Sequence, residues 1–132
     1  MQRSRILYTR LIAAGCAAAA VILGIAVRKL LPAGFWSKYA GVALWSMLAY
    51  ALLVAAVPRW SVFRTALTAL LLSWAVEFAQ LTPVPAWLAA RQPIFAWILG
   101  TSFSLRDLPA YAAGVALAAV VRAVLIRRRA NA

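Results

Sequence analysis

The chain has 132 residues, 67% of them hydrophobic, and a mean hydropathy of +0.91. A soluble domain of this length is usually nearer half apolar and could not hide so much apolar surface, so lipid must be the solvent for much of it. The formal charge is +12, from fourteen Lys or Arg against two acids. The basic residues sit mostly at the ends of apolar runs, which fits membrane topology and anionic headgroups and excludes a nucleic-acid reading.

There is no His, and Cys16 is the single cysteine. An internal disulfide is therefore impossible, the usual zinc ligand sets are missing, and Ser/His/Asp or Cys/His catalysis is excluded. No metal and no cofactor is expected. The length allows one domain.

Arg3, Arg5 and Arg10 precede an apolar run that Arg28 and Lys29 close. A basic start followed by an apolar core can mimic a signal peptide. The run continues well past Cys16, so an uncleaved first transmembrane helix is expected at about residues 6–31. Cys16 reads as a small packing residue. Pro32 and Gly34 then break the chain, and Phe35, Trp36, Lys38 and Tyr39 suit a membrane–water boundary.

A second span is expected at about residues 39–57, with small residues such as Gly41 and Ala43 for close helix contact. The third is expected at about residues 62–82. Thr65, Thr68 and Ser73 within it can return hydroxyl hydrogen bonds to their own helix. Pro83, Pro85 and Pro93 rule out a continuous helix next. The segment at about residues 83–103 is still too apolar for a wet loop, so a short interfacial or re-entrant element is expected, with Trp87 and Trp97 at headgroup depth.

The fourth span is expected at about residues 107–126, with Asp107 as its cap and Pro109 in its first turn. Ala110, Gly114 and Ala118 make a stripe of small residues at four-residue spacing. The fold class is thus all-α: a polytopic membrane protein with four transmembrane helices and an interfacial element between the third and fourth. One side would carry nine basic residues (Arg3, Arg5, Arg10, Arg59, Arg64, Arg122 and Arg127 to Arg129) and the other five (Arg28, Lys29, Lys38, Arg91 and Arg106). The positive-inside rule then places both termini in the cytoplasm.

Glu77 and Asp107 are the only acidic residues. An ionisable group inside a lipid-spanning helix costs roughly 2.5 to 3.5 kcal/mol at mid-depth, so retaining one needs a reason. If the last two spans pack antiparallel, Glu77 at the end of one and Asp107 at the start of the next come close. Gln80 shares a helix face with Glu77, and Tyr111 shares one with Asp107. Arg91, midway along the connection, is expected to fold back between the acids and offset one charge. The plain alternative is that these groups only lock the end of a helix pair. Trp36, Trp87 and Trp97 read as interface anchors.

The pattern Glu77-Phe78-Ala79-Gln80, Arg91, Ser104-Leu105-Arg106-Asp107-Leu108, then Tyr111 and Gly114 resembles a bacterial integral-membrane family known only as a domain of unknown function, DUF2809. Arg28-Lys29-Leu30-Leu31-Pro32, Lys38-Tyr39-Ala40-Gly41, Leu44-Trp45 and Leu99-Gly100 extend the resemblance to about residues 24–118. The family looks distantly VanZ-like, sharing Glu-x-x-Gln, a later Arg, and an Asp followed by Gly in the last helix. VanZ-like helices usually carry Asn where Tyr111 stands.

That resemblance implies action at the cell envelope, with a link to glycopeptide resistance, and a functional cluster of Glu77, Gln80, Arg91 and Asp107. The leading expectation is an outer-leaflet binding module for an envelope lipid or glycolipid head in the bacterial inner membrane, with Tyr111 beside the cluster. The rivals are an enzyme using Glu77 and Asp107 as acid and base, an accessory subunit that presents Ala110, Gly114 and Ala118 to another copy or another chain, and a small transporter.

Overall fold

A computed structural model describes residues 2–131. Its six helices are α1 (Gln2–Leu30), α2 (Phe35–Ala56), α3 (Val62–Ala79), α4 (Val84–Arg91), α5 (Ile94–Leu99) and α6 (Asp107–Ala130), with no strand among the described residues. Four of them, α1, α2, α3 and α6, are long and apolar enough to cross a membrane. The chain is an all-α, multi-pass membrane protein.

α1 and α6 outrun the expected spans. The 29 residues of α1 rise about 44 Å at 1.5 Å each, against a hydrocarbon core of about 30 Å. Backbone hydrogen bonding does not stop where lipid ends, so Arg3 and Arg5 are helical, and α6 likewise carries Arg127 to Arg129 in its last turn. α2 begins four residues before the expected boundary, at Phe35. Gly34 and Ser37 fix that start, since the Ser37 hydroxyl accepts from the Gly34 N–H at 3.0 Å. α3 stops at Ala79, short of the expected end, and the Thr82 hydroxyl donates to the Ala79 carbonyl at 2.6 Å.

The connection from α3 to α6 holds two short helices, α4 and α5, divided at Gln92-Pro93. Proline at 83, 85 and 93 explains both the starts and the break, because each lacks an N–H that a continuing helix would need. α4 exposes most of its apolar side chains and α5 half of its own.

α2 is the hub. It packs against α1, α6 and α3, and α3 also packs against α6. The buried core is small: Ala13, Tyr50, Val54, Ala69 and Val115. Large apolar residues such as Ile22, Leu71, Leu117 and Val120 point outward, as expected where lipid and not water bathes the helices.

Small residues let the helices come together. A Cβ at Gly114 would collide with the Ser46 hydroxyl and the Ala43 carbonyl oxygen. The Ser46 hydroxyl lies 2.9 Å from the Ala43 carbonyl and 3.0 Å from that of Tyr111, tying α2 to α6. Ala118 also packs on the core. Gly114 and Ala118 thus serve contacts within the chain.

At the end where α1 begins and α6 finishes, Arg122 fixes the α2–α3 turn. Its guanidinium donates to the carbonyls of Pro58 (3.2 Å) and Trp60 (2.8 Å) and to the Thr65 hydroxyl (2.9 Å). Thr65 and Ser73 bond back to Ser61 and Ala69 in the preceding turn, as expected.

Candidate functional site

The opposite end of the bundle gathers the polar groups. Glu77 lies in the last turn of α3 and is 1% exposed. One carboxylate oxygen accepts from the Ser104 backbone N–H at 2.5 Å, and the other accepts from the Tyr111 hydroxyl at 2.9 Å. Two donors on one carboxylate go far toward offsetting its desolvation. Tyr111 comes from the second turn of α6 and Ser104 from the strap just before that helix. The buried acid therefore ties α3 to both.

Asp107 is the first residue of α6 and not its cap; Arg106 occupies the cap position and makes no side-chain cap bond. The backbone turn at Ser104–Asp107 already closes on itself, with the Asp107 N–H on the Ser104 carbonyl at 2.9 Å. The Asp107 carboxylate is thus free to face α2, where Lys38 sits 3.0 Å away. The approach is a charge contact and not an aligned hydrogen bond. The Lys38 ammonium also donates to the Ser104 hydroxyl at 3.2 Å. Ser104 therefore stands between the two acids, bound to Glu77 through its N–H and to Lys38 through its hydroxyl.

Gln80 caps α3 and turns its side chain toward α5. Its amide N–H donates to the Leu99 carbonyl at 2.5 Å, while its amide oxygen is buried with no partner among the described residues. Gly100 follows with φ at +67°, and a Cβ there would lie 2.6 Å from the Gln80 amide nitrogen. Left-handed backbone and close approach both favour glycine. The indole N–H groups of Trp45 and Trp74 pin the surroundings, donating to Ile98 (2.8 Å) and Leu108 (3.3 Å) respectively.

Arg91 is not in the cluster. It is exposed and its guanidinium lies 3.9 Å from the centroid of the Trp87 ring, one turn away on α4. Cation–π stacking on a neighbour in the same helix gives this Arg a local partner, so it does not fold back. The charge that pairs with an acid comes from Lys38. Lys38, Ser104, Trp45 and Ser46 were missed as site residues. The visible signal was Lys38 itself, a cation just inside an apolar helix whose chain also holds only two acids.

The two carboxylates make a poor metal site: no group of three His, Cys, Asp or Glu side chains occurs among the described residues. The cluster instead opens onto a cleft of about 1160 Å³ floored by α2 and walled by α1, α5 and the ends of α3 and α6. Glu77, Gln80, Asp107, Tyr111 and Lys38 line its polar part, and Val21, Leu48 and Leu52 its apolar part. Arg28 and Trp97 stand together at its edge, the guanidinium 4.1 Å from the ring centroid. Trp36, Trp87 and Trp97 are all exposed.

No curated protein and no solved structure matches the chain. The model of one family does match it, that of "Protein of unknown function (DUF2809)", over residues 31–115. That stretch runs from the entrance of α2 through α6 as far as Val115 and contains Lys38, Glu77, Gln80, Ser104, Asp107 and Tyr111. The chain belongs to the DUF2809 family.

Proposed function

We propose that the protein is a binding module for the head of a membrane amphiphile, such as a polyprenyl-linked lipid or glycolipid, held at the Glu77 end of the bundle. One observation carries this reading: a cleft of about 1160 Å³ has the buried acid Glu77, Asp107, Tyr111 and Gln80 along one part and apolar side chains along the rest. Pockets that orient a ligand pair a largely apolar wall with a few convergent polar groups. Ionisable residues within a span are a functional hypothesis by default.

The nine-to-five distribution of basic residues favours a bacterial inner membrane with both termini in the cytoplasm and the cleft toward the outer leaflet. The VanZ-like pattern of Glu77, Gln80, Asp107 and Gly114 supports a role in the cell envelope and in antibiotic resistance, by likeness alone.

A second reading, a purely structural lock, draws on the fact that both Glu77 oxygens already have donors within the chain. Lipid mass spectrometry on the gently purified protein separates the two. The binding reading expects an enriched lipid in the wild type that is lost in Glu77→Gln and kept in Arg91→Ala. Equal lipid profiles in all three, with Glu77→Gln merely less stable, would leave the lock.

A further inference from the structure

Two kinds of polar group line the cleft. Arg28 and Lys29, at the end of α1, are among its lining residues, as is Lys38. The chain has two acids. Glu77 is bonded to Ser104 and Tyr111, and Asp107 is paired with Lys38. Arg28 and Lys29 therefore have no ion pair among the described residues. The Arg28 guanidinium carbon lies 4.1 Å from the Trp97 ring centroid, a contact that holds the cation at the cleft and uses up none of its N–H donors on a protein acceptor.

The buried side of the cleft is rich in acceptors. Glu77 and Asp107 are carboxylates, 1% and 6% exposed. Next to them the Gln80 amide oxygen is an acceptor without a donor, its orientation set by the bond from its own N–H to Leu99. A buried acceptor left unmatched costs about 1 to 3 kcal/mol. Below both regions the lining turns apolar and descends along α2 from Lys38 to Leu52, about 21 Å at 1.5 Å per residue. Half of a hydrocarbon core is about 15 Å. The groove is thus long enough for the tail of a lipid seated in one leaflet.

Resting on the binding reading above, we infer that the ligand is a lipid phosphate whose head also carries free hydroxyl groups. The phosphate lies on Arg28 and Lys29. The hydroxyls donate to Gln80 and to the carboxylate side. The tail runs between α1 and α2 under the Arg28–Trp97 contact. A phosphate alone would leave the Gln80 amide oxygen unmatched, and a neutral glycolipid would leave the two cations unpaired. An ammonium head would enter a cleft that already holds three cations against two acids.

The test uses the full chain in nanodiscs of phosphatidylcholine doped with one probe lipid at a time. The probes are phosphatidylglycerol, with phosphate and hydroxyls; phosphatidic acid, with phosphate alone; and monoglucosyl diacylglycerol, with hydroxyls alone. Retention of each is read by native mass spectrometry. The wild type should retain phosphatidylglycerol about tenfold over either other probe, the scale of one well-made hydrogen bond. Arg28→Gln with Lys29→Gln should erase its advantage over the glucolipid, and Gln80→Leu its advantage over phosphatidic acid. Arg127→Gln, at the far end, should change neither ratio.

Retention that tracks net charge alone and falls equally in Arg127→Gln would overturn the inference as annular binding. Retention lost in Glu77→Gln but indifferent to head chemistry would overturn it while leaving the binding module standing. No retention of any probe, in protein whose thermal transition matches the wild type in plain phosphatidylcholine, would overturn both.

Discussion

The Tyr111 hydroxyl donates to a carboxylate oxygen of Glu77 at 2.9 Å, and through that bond α6 holds the last turn of α3. Both side chains are buried. Tyr111→Phe removes the donor and leaves the acceptor in place. That should cost about 1 to 3 kcal/mol, the penalty of an unmatched buried polar group. Thermal unfolding in a mild detergent should show lower midpoints for Tyr111→Phe and for Glu77→Leu, and a loss in the double variant smaller than the two single losses summed. Losses that simply add would mean that the two groups are not coupled.

Gly114 and Gly24 make a matched comparison. A Cβ at Gly114 meets the Ser46 hydroxyl and the Ala43 backbone, whereas one at Gly24 meets nothing within 4 Å. Gly114→Ala should lower stability by about 1 to 3 kcal/mol through overpacking of backbone that cannot yield. Gly24→Ala should be neutral or slightly stabilising, since alanine is the better helix former. The same thermal assay reads both.

Lys38 is half exposed while its partner Asp107 is buried. Water screens the cation, so the pair itself contributes on the order of 1 kcal/mol or less. Lys38→Met should therefore cost little in high salt and somewhat more in low salt. Adding Asp107→Asn should restore part of the loss, because the buried carboxylate no longer needs a counter-charge. A double-mutant cycle by thermal denaturation at two ionic strengths checks this.

Two arginines should behave in opposite ways. Arg91 stacks on Trp87 at the surface, and Arg91→Ala should change stability by no more than about 0.5 kcal/mol. Arg122 makes hydrogen bonds to Pro58, Trp60 and Thr65. Arg122→Ala strips those groups at once, and bonds to a charged donor are worth about 1.5 to 3 kcal/mol each at most. Its midpoint should fall well below that of Arg91→Ala, and limited proteolysis should cut the α2–α3 turn faster.

Much of the site can be seen in the chain. Two acids in so apolar a sequence single themselves out, and the three-residue step from Glu77 to Gln80 and four-residue step from Asp107 to Tyr111 each define a helix face. What the spacing did not reveal was partnership. Arg91 lies between the acids along the chain, yet side-chain direction on α4 is set by that helix and by Trp87. Lys38 belongs to another span, and nothing local announces that α2 brings it beside Asp107. Ser104 contributes a backbone N–H, which every residue but proline has, so no residue type marks it.

Hydropathy and proline placement by themselves determined an all-helical chain with four apolar spans and a broken segment before the last, because lipid demands internally bonded backbone and proline cannot supply its share. Which cation answers which acid, and that Gly114 is used up against α2, was decided only when the helices packed. Those facts depend on distances between segments far apart in the chain, and the periodicity of a single helix carries no record of its neighbours.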